Sequence, residues 1–312
     1  MSDAATCLGL GTAQFGLAYG VTNTRGQVSR EEARAILSLA DRAGMRVIDT
    51  AHEYGGSEAA LGSLEDATRG FRIITKTPTL GPERIDGEQI AALERAIDTS
   101  RRALRRDRLD GLLVHNGQAL LLPGGDRVIA LLRQAKAQGL VAHIGVSLSD
   151  PAALAAILAR FSPDLVQFPL NLLDQRFLAS GLMADLAARD VEIHVRSVFL
   201  QGLLLADLQE VPASLSHARP ALETARRFGA AHGLTPLGAC IGFVLAQPHV
   251  SHAIVGVTGV GELAAIVAAA RALPTDLPDF KSLAVDDPDI IAPARWRVPP
   301  VSWGNTGILR TD

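Results

Sequence analysis

A chain of 312 residues, 48% of them hydrophobic and with a net charge of −3, carries enough apolar material for one large buried core. It offers no broad basic surface, which excludes nucleic acid as a partner, and no apolar stretch long enough to span a bilayer, which excludes a membrane. Met1 to Ala5 lack the features of a secretory signal, and Cys7 and Cys240 are too few for a disulfide framework, so a soluble cytoplasmic protein with two buried thiols is expected.

Short apolar runs alternate with amphipathic stretches along the whole chain. The first run is 7–11 (CLGLG), after which Ser29 and Glu32 fit a capping box for a helix that Gly44 stops. Runs 45–49 (MRVID) and 71–76 (FRIITK) follow. Between Asp86 and Arg106 the residues Ile90, Leu93, Ile97 and Leu104 recur at helical spacing. Run 109–115 (LDGLLVH) precedes a helix predicted from Asp126 to Gln138, with Gly139 at its end. Run 141–147 (VAHIGVS) leads to Asp150-Pro151, a helix start with proline in the first turn. Runs 164–169 (DLVQFP), 191–197 (VEIHVRS) and 251–257 (SHAIVGV) complete the series, with helices predicted over 176–189, 216–232 and 260–272.

Eight strand-then-helix units whose strands are apolar on both faces predict an α/β fold, a single (β/α)8 TIM barrel. The competing doubly wound sheet lacks its G-x-G-x-x-G turn. No linker divides the chain, so residues 1–312 read as one domain. Its proline-rich tail, 274–312, carries Trp296 and Trp303 and is expected to pack over the active-site end.

Function in such a barrel sits where strands run into the loops that follow them. There the second run ends in Asp49, five residues before Tyr54; the third ends in Thr75-Lys76 and the fourth in His115-Asn116. Carbonyl reduction needs an acid beside the oxygen that becomes an alkoxide. A tyrosine with an ordinary pKa of about 10 is too weak alone at neutral pH. A neighbouring ammonium strengthens it, and a buried carboxylate keeps that ammonium charged. A neutral histidine can donate a second hydrogen bond to the oxygen. Asp49, Tyr54, Lys76 and His115 supply these types in order. Singly, each has an ordinary reading as a helix cap, a turn-packing ring, a surface cation or a structural imidazole. A lysine at a strand end also suits a Schiff-base aldolase, in which Lys76 would need no nicotinamide.

The segment Ile48–Glu58 (IDTAHEYGGSE) resembles the signature of the aldo-keto reductases. Thr75-Lys76, Val114-His115-Asn116 and Leu10–Gly16 (LGTAQFG) match further motifs, and Val141–Ser147, Val166-Gln167 and Asn171–Gln175 are similar to others. The likeness runs from about residue 7 to 272. It implies an NAD(P)(H)-dependent carbonyl reductase that transfers a hydride to an aldehyde or ketone, with Asp49, Tyr54, Lys76 and His115 as catalytic tetrad and Tyr54 as the acid. Cofactor contacts are implied at Gly11, Thr12, Ala13 and Asp49, and at Ser147 and Gln167 for the carboxamide. Arg196, Ser197, Phe199 and Gly202 would lie along the cofactor after the seventh strand. Gly256, Val257 and Thr258 would lie beneath the adenosine phosphate. No metal is implied. The stretch His194–Gly202 resembles members linked to bacterial surface-sugar synthesis, which points to a sugar-like carbonyl.

Three places depart from the family pattern. Leu148 follows Ser147 where asparagine is common, and Arg196 stands where an aromatic residue stacks on the nicotinamide. The stretch Thr258–Ile266 (TGVGELAAI) holds no cation for a 2′-phosphate, and Ala265-Ile266 replace a Glu-Asn pair. A phosphate dianion prefers charge-assisted donors, so weakened selectivity for NADP(H), or a preference for NAD(H), is expected. The missing contacts also allow a nicotinamide-binding sensor without turnover. Specificity is expected from loops 117–125 and 204–215 and from the tail. There Tyr54, His115, Trp296 and Trp303 would meet a small-molecule carbonyl substrate, and Arg295 and Arg297 a charged or polyhydroxylated one. The expected state is a monomer or weak homo-oligomer.

Overall fold

The computed structural model describes residues 3–296. Its strands are β1 (Leu8–Gly11), β2 (Val47–Asp49), β3 (Arg72–Lys76), β4 (Leu109–Val114), β5 (Val141–Ser147), β6 (Leu165–Pro169), β7 (Glu192–Arg196) and β8 (His252–Gly256). Each pairs in parallel with the next, and β8 returns to β1, closing the barrel. All eight coincide with the predicted runs to within two residues at either end. Strands buried on both faces leave continuous apolar runs, which is why they are legible.

The principal helices outside the barrel are α1 (Arg30–Arg42), α2 (Ser57–Ser63), α3 (Gly87–Leu104), α4 (Gly125–Ala137), α5 (Pro151–Leu158), α6 (Leu182–Ala187), α7 (Arg219–Ala231), α8 (Pro236–Leu245) and α9 (Val260–Arg271). Asp86 and Gln89 form a complete capping box at α3, and α1 buries Ala33, Ile36, Leu37 and Ala40 at three- and four-residue spacing against the strands.

Alternation along the strands layers the barrel interior. On β3 the residues Arg72, Ile74 and Lys76 share one face, and on β7 Glu192, His194 and Arg196 do. Arg72 donates two hydrogen bonds to Glu192, at 3.1 and 2.8 Å. Because β3 and β7 lie on opposite sides of the barrel, these side chains meet through its interior, at the end where strands begin. Above them lies an apolar cluster of Val47, Ile74, Leu113, Leu165 and Ile254. A second charged layer, at the strand C-terminal ends, contains Lys76 and Asp49.

Several local expectations are corrected. The stretch 176–189 breaks into Arg176–Ala179 and Leu182–Ala187, because Gly181 takes a positive φ of 75°. The stretch 216–232 begins as a 3-10 turn, Ala213–Ala218, and becomes α-helical only at Arg219. Helix α8 was not predicted. Its run is apolar almost throughout, with no polar face to mark a period, although Thr235 caps Gly238 N and proline opens it. Cys240 is buried on α8, but Cys7 is only half-buried, in a 3-10 turn ahead of β1. Loop 117–125, expected to contribute to specificity, begins as a 3-10 turn (Gly117–Leu121) with Ala119 and Leu120 buried in the core. Among the described residues no single helix is long and apolar enough to cross a membrane.

Candidate active site

The four predicted residues converge at the C-terminal mouth of the barrel. Lys76 ends β3 fully buried, and its ammonium donates to Asp49 Oδ1 at 2.7 Å, to the Thr50 carbonyl at 2.9 Å and to Tyr54 Oη at 3.3 Å. Burial disfavours the lysine charge, but Asp49 and then Tyr54 outweigh it and raise the lysine above its ordinary range. The Tyr54 and His115 rings meet edge to face, with centroids 5.9 Å apart. His115 Nδ1 lies 3.2 Å from Glu53 Oε2.

The loop between β2 and α2 carries Tyr54 and is tied down from beneath. Ser57 Oγ donates to the Thr12 carbonyl at 2.8 Å, and Thr12 Oγ1 donates to the Asp49 carbonyl at 2.9 Å. Thr12, a predicted cofactor contact, is thus fully buried with its hydroxyl spent on the scaffold. Gly16 packs so closely under this loop that a Cβ there would strike the Tyr54 carbonyl. The tyrosine is held by backbone-to-backbone packing as well as by Lys76.

The other predicted cofactor contacts ring the same mouth. Gln167 donates to Asp49 Oδ2 at 2.7 Å and accepts a long 3.4 Å bond from Ser147 Oγ. Arg196 reaches Ser149 Oγ at 2.9 Å, with longer bonds to the Leu148 carbonyl and Ser197 Oγ. Its partners among the described residues are all neutral. The loop from Ser197 through Phe199 to Gly202 is strained: Ser197, Leu200 and Gln201 all have positive φ. It meets the loop after β1, where Thr22 Oγ1 bonds the Gln201 carbonyl at 3.5 Å. Beside Gly11 and Ala13, Gln14 Oε1 is buried without a partner, and a Cβ on Gly256 would lie 2.8 Å from it. Tyr19, on the same loop, is one of two exposed large hydrophobic residues among those described.

Past β8, Val257 is buried and Thr258 half-buried at the start of α9. Two carboxylates occupy that helix end. Glu262 accepts from Thr258 N at 2.7 Å and from Thr258 Oγ1 at 2.6 Å, while Glu32 accepts from Val260 N at 2.6 Å. The capping box expected for Ser29 and Glu32 is therefore half formed. Ser29 accepts from Glu32 N, but the Glu32 carboxylate serves α9 instead. Where Thr258–Ile266 offers no cation, the fold brings one from afar: a side chain on Gly259 would collide with the Arg25 guanidinium.

Trp296 is half-buried beside Leu215, His217 and Asp289. Its indole Nε1 is buried without a hydrogen-bond partner among the described residues. Trp303 and Arg297 lie outside the described residues. The tail does return to the C-terminal mouth, where Val285 N donates to the Leu173 carbonyl at 2.9 Å.

A closed parallel barrel thus gathers this lysine, aspartate, tyrosine and histidine at its C-terminal mouth. The aldo/keto reductase family profile matches residues 7–284, and the chain belongs to that family of oxidoreductases. Solved structures agree on the fold. A Pseudomonas aeruginosa protein assigned to the aldo-keto reductases is 27% identical, with a TM-score of 0.63 over 85% of this chain and 89% of its own. An aldo-keto reductase of Bacillus halodurans, in its holo form, is 21% identical, with a TM-score of 0.72 over 93% and 95%. An aldo/keto reductase of Klebsiella pneumoniae, solved with NADP and acetate, is 21% identical, with a TM-score of 0.60 over 86% and 87%. A search of curated proteins finds no match.

Proposed function

We propose that the protein is a nicotinamide-dependent carbonyl reductase in which Tyr54 Oη gives the proton to the substrate oxygen. The observation that carries this is the bond from the buried Lys76 ammonium to Tyr54 Oη, backed by Asp49. The ammonium stabilises the phenolate left behind, and Asp49 with Gln167 keeps the ammonium in place. A dihydronicotinamide bound beside this mouth supplies the hydride. Candidate holders are Ser147 and Gln167 for the carboxamide, the strained Ser197–Gly202 loop with Phe199 along one side, and Gly11, Ala13, Gly256 and Thr258 below. The unpartnered Gln14 oxygen supports a polar ligand there. Arg196 is the free cation nearest the tetrad and suits the diphosphate or an anionic substituent.

At the adenosine end the reading is a weak grip on a 2′-phosphate. Glu262 and Glu32 already accept the N–H groups that would hold an anion at the start of α9. A carboxylate accepts from a ribose hydroxyl and repels a phosphate, and Arg25 offsets only one of the two. NAD(H) is therefore expected to bind as tightly as NADP(H), or more tightly. Tail residues beyond 274, with Trp296, would close the substrate side.

Cofactor titration followed by turnover of Tyr54→Phe on a panel of aldehydes tests this. Loss of about 100-fold or more in kcat is expected. Full activity in the variant would remove Tyr54 as the acid, and strong NADPH selectivity would remove the cofactor reading.

A further inference from the structure

Glutamate and histidine also gather at the opposite end of the barrel, where the strands begin. Glu192 and His194 alternate along β7 and so share its inner face, and His252 opens β8 as the register partner of His194. Ile254, two residues after His252, belongs to the apolar cluster of the interior. His194 is fully buried, and its Nε2 lies 2.8 Å from Glu192 Oε1. His252 Nε2 lies 3.6 Å from the same oxygen. One ligand atom from each of the three side chains falls within 4.8 Å of the other two. The His252 and Glu192 side chains keep 17% and 21% exposure, which opens the cluster to an ion entering from that mouth.

Zinc held by two imidazoles and a carboxylate has bonds of about 2.0–2.2 Å, so its ligand atoms stand about 3.3 Å apart. The observed 2.8 and 3.6 Å straddle that spacing, and side-chain torsions can close the rest. Two imidazoles select a late first-row ion, whereas magnesium and calcium demand a shell of oxygens. Neither Nδ1 has a partner among the described residues. The ring protons can therefore sit there and leave both Nε2 lone pairs to a metal. Arg72 is the competitor, donating to Oε1 at 3.1 Å and to Oε2 at 2.8 Å. An ion on Oε1 breaks only the longer bond, and Asp110, whose charge also acts on Arg72, compensates the guanidinium.

We propose that Glu192, His194 and His252 form a zinc-binding site, with water in the fourth position, and that the ion staples β7 to β8. The ladder between these strands is short, two register pairs against five between β4 and β5. The apolar cluster of Val47, Ile74, Leu113, Leu165 and Ile254 separates the ion from Lys76 and Asp49, so it takes no part in hydride transfer. No acceptor orients either ring and a guanidinium must be displaced. The expected Kd is therefore on the order of micromolar, weaker than in dedicated structural zinc sites.

The full chain, stripped with a chelator and titrated with zinc chloride, tests this. One ion per chain is expected, with a melting temperature raised by about 5 °C when zinc stands about a hundredfold above Kd. Zinc-edge X-ray absorption should show two imidazoles and no sulfur. His252→Gln, at a side chain that reaches solvent, is expected to weaken binding about 100-fold or more. Arg72→Met removes the competing cation and is expected to tighten binding about tenfold. Absence of zinc uptake, a sulfur neighbour on the ion, or equal affinity in His252→Gln overturns the site. Weaker binding in Arg72→Met overturns the placement of the ion on Glu192. Should His252→Gln fail to fold, the absorption spectrum of the parent decides alone. None of these readouts uses turnover, so the zinc site and the reductase reading stand or fall separately.

Discussion

The barrel carries buried charge at both mouths, on the same two strands, and the two mouths arrange it differently. At the end where strands begin, Glu192 accepts two bonds from Arg72, and His194 Nε2 lies 2.8 Å from it. His252 stands 3.6 Å from the same carboxylate, its ring edge to face with His194. Opposite charges there answer one another, although Nδ1 of both His194 and His252 is buried without a partner among the described residues. At the other end Lys76 spends one bond on Tyr54, Arg196 meets only neutral groups, and Gln14 Oε1 has no partner. Buried polarity does not by itself mark a site. Nor does an unpartnered atom, since both mouths hold one; what differs is that Lys76, Tyr54 and Arg196 gather where the strands run into their loops.

The comparison breaks most sharply on the two cations. Lys76→Met strands Asp49 in the interior with Gln167 as its remaining side-chain donor, and removal of one partner of a buried pair costs about 3–5 kcal/mol. Denaturant unfolding should register that loss, together with a fall in turnover of about 100-fold or more. Arg72→Met makes the equivalent change at the other mouth. Arg72 is 37% exposed, so water screens what remains and about 0.2–1 kcal/mol is expected, with kcat unchanged. If the two variants lost activity equally, the mouths would not differ in function as described.

The adenosine end sharpens the contrast further. Glu262→Ala frees Thr258 N and Oγ1 and removes one of two carboxylates. NADP+ affinity is expected to rise about tenfold, while NAD+ affinity holds or falls. Equal gains for both cofactors would assign Glu262 a capping role alone. Arg25→Ala is expected to move NADP+ affinity the other way.

Legibility in sequence followed the range of the interactions. The strands announced themselves because both faces are buried, and the four tetrad candidates did because Asp49 and Lys76 end strands while His115 and Tyr54 follow one by one and by five residues. Glu32 was misread as a local cap because Ser29 does cap α1, while its carboxylate serves a backbone N–H 228 residues away. No local pattern carries that register. Arg25 escaped for the same reason: the expected cation was sought within Thr258–Ile266, and the fold delivers one from the loop after β1. Glu53 was present in the quoted motif, but its partner His115 comes from β4, so its use depends on how two loops face each other. Helix α8 escaped for a different reason, since a segment buried all round has no polar face to reveal a period.

The smallest expected effect concerns stability in acid at the ligand-receiving mouth. Burial opposes ionisation of Glu53, but His115 and the Thr79 donors outweigh it and lower the carboxyl from 4.5 to about 2. A carboxyl whose folded pKa lies below its unfolded one contributes stability that is complete above the unfolded value and fades as pH falls through the folded one. Glu53 therefore stabilises the fold above about pH 4.5, and that contribution disappears between pH 4.5 and about 2. In Glu53→Gln it is missing at every pH. Urea midpoints of parent and variant should differ most near pH 6 and converge as the pH approaches 2. A gap that stays constant down to pH 2 would mean that Glu53 contributes by shape rather than by charge.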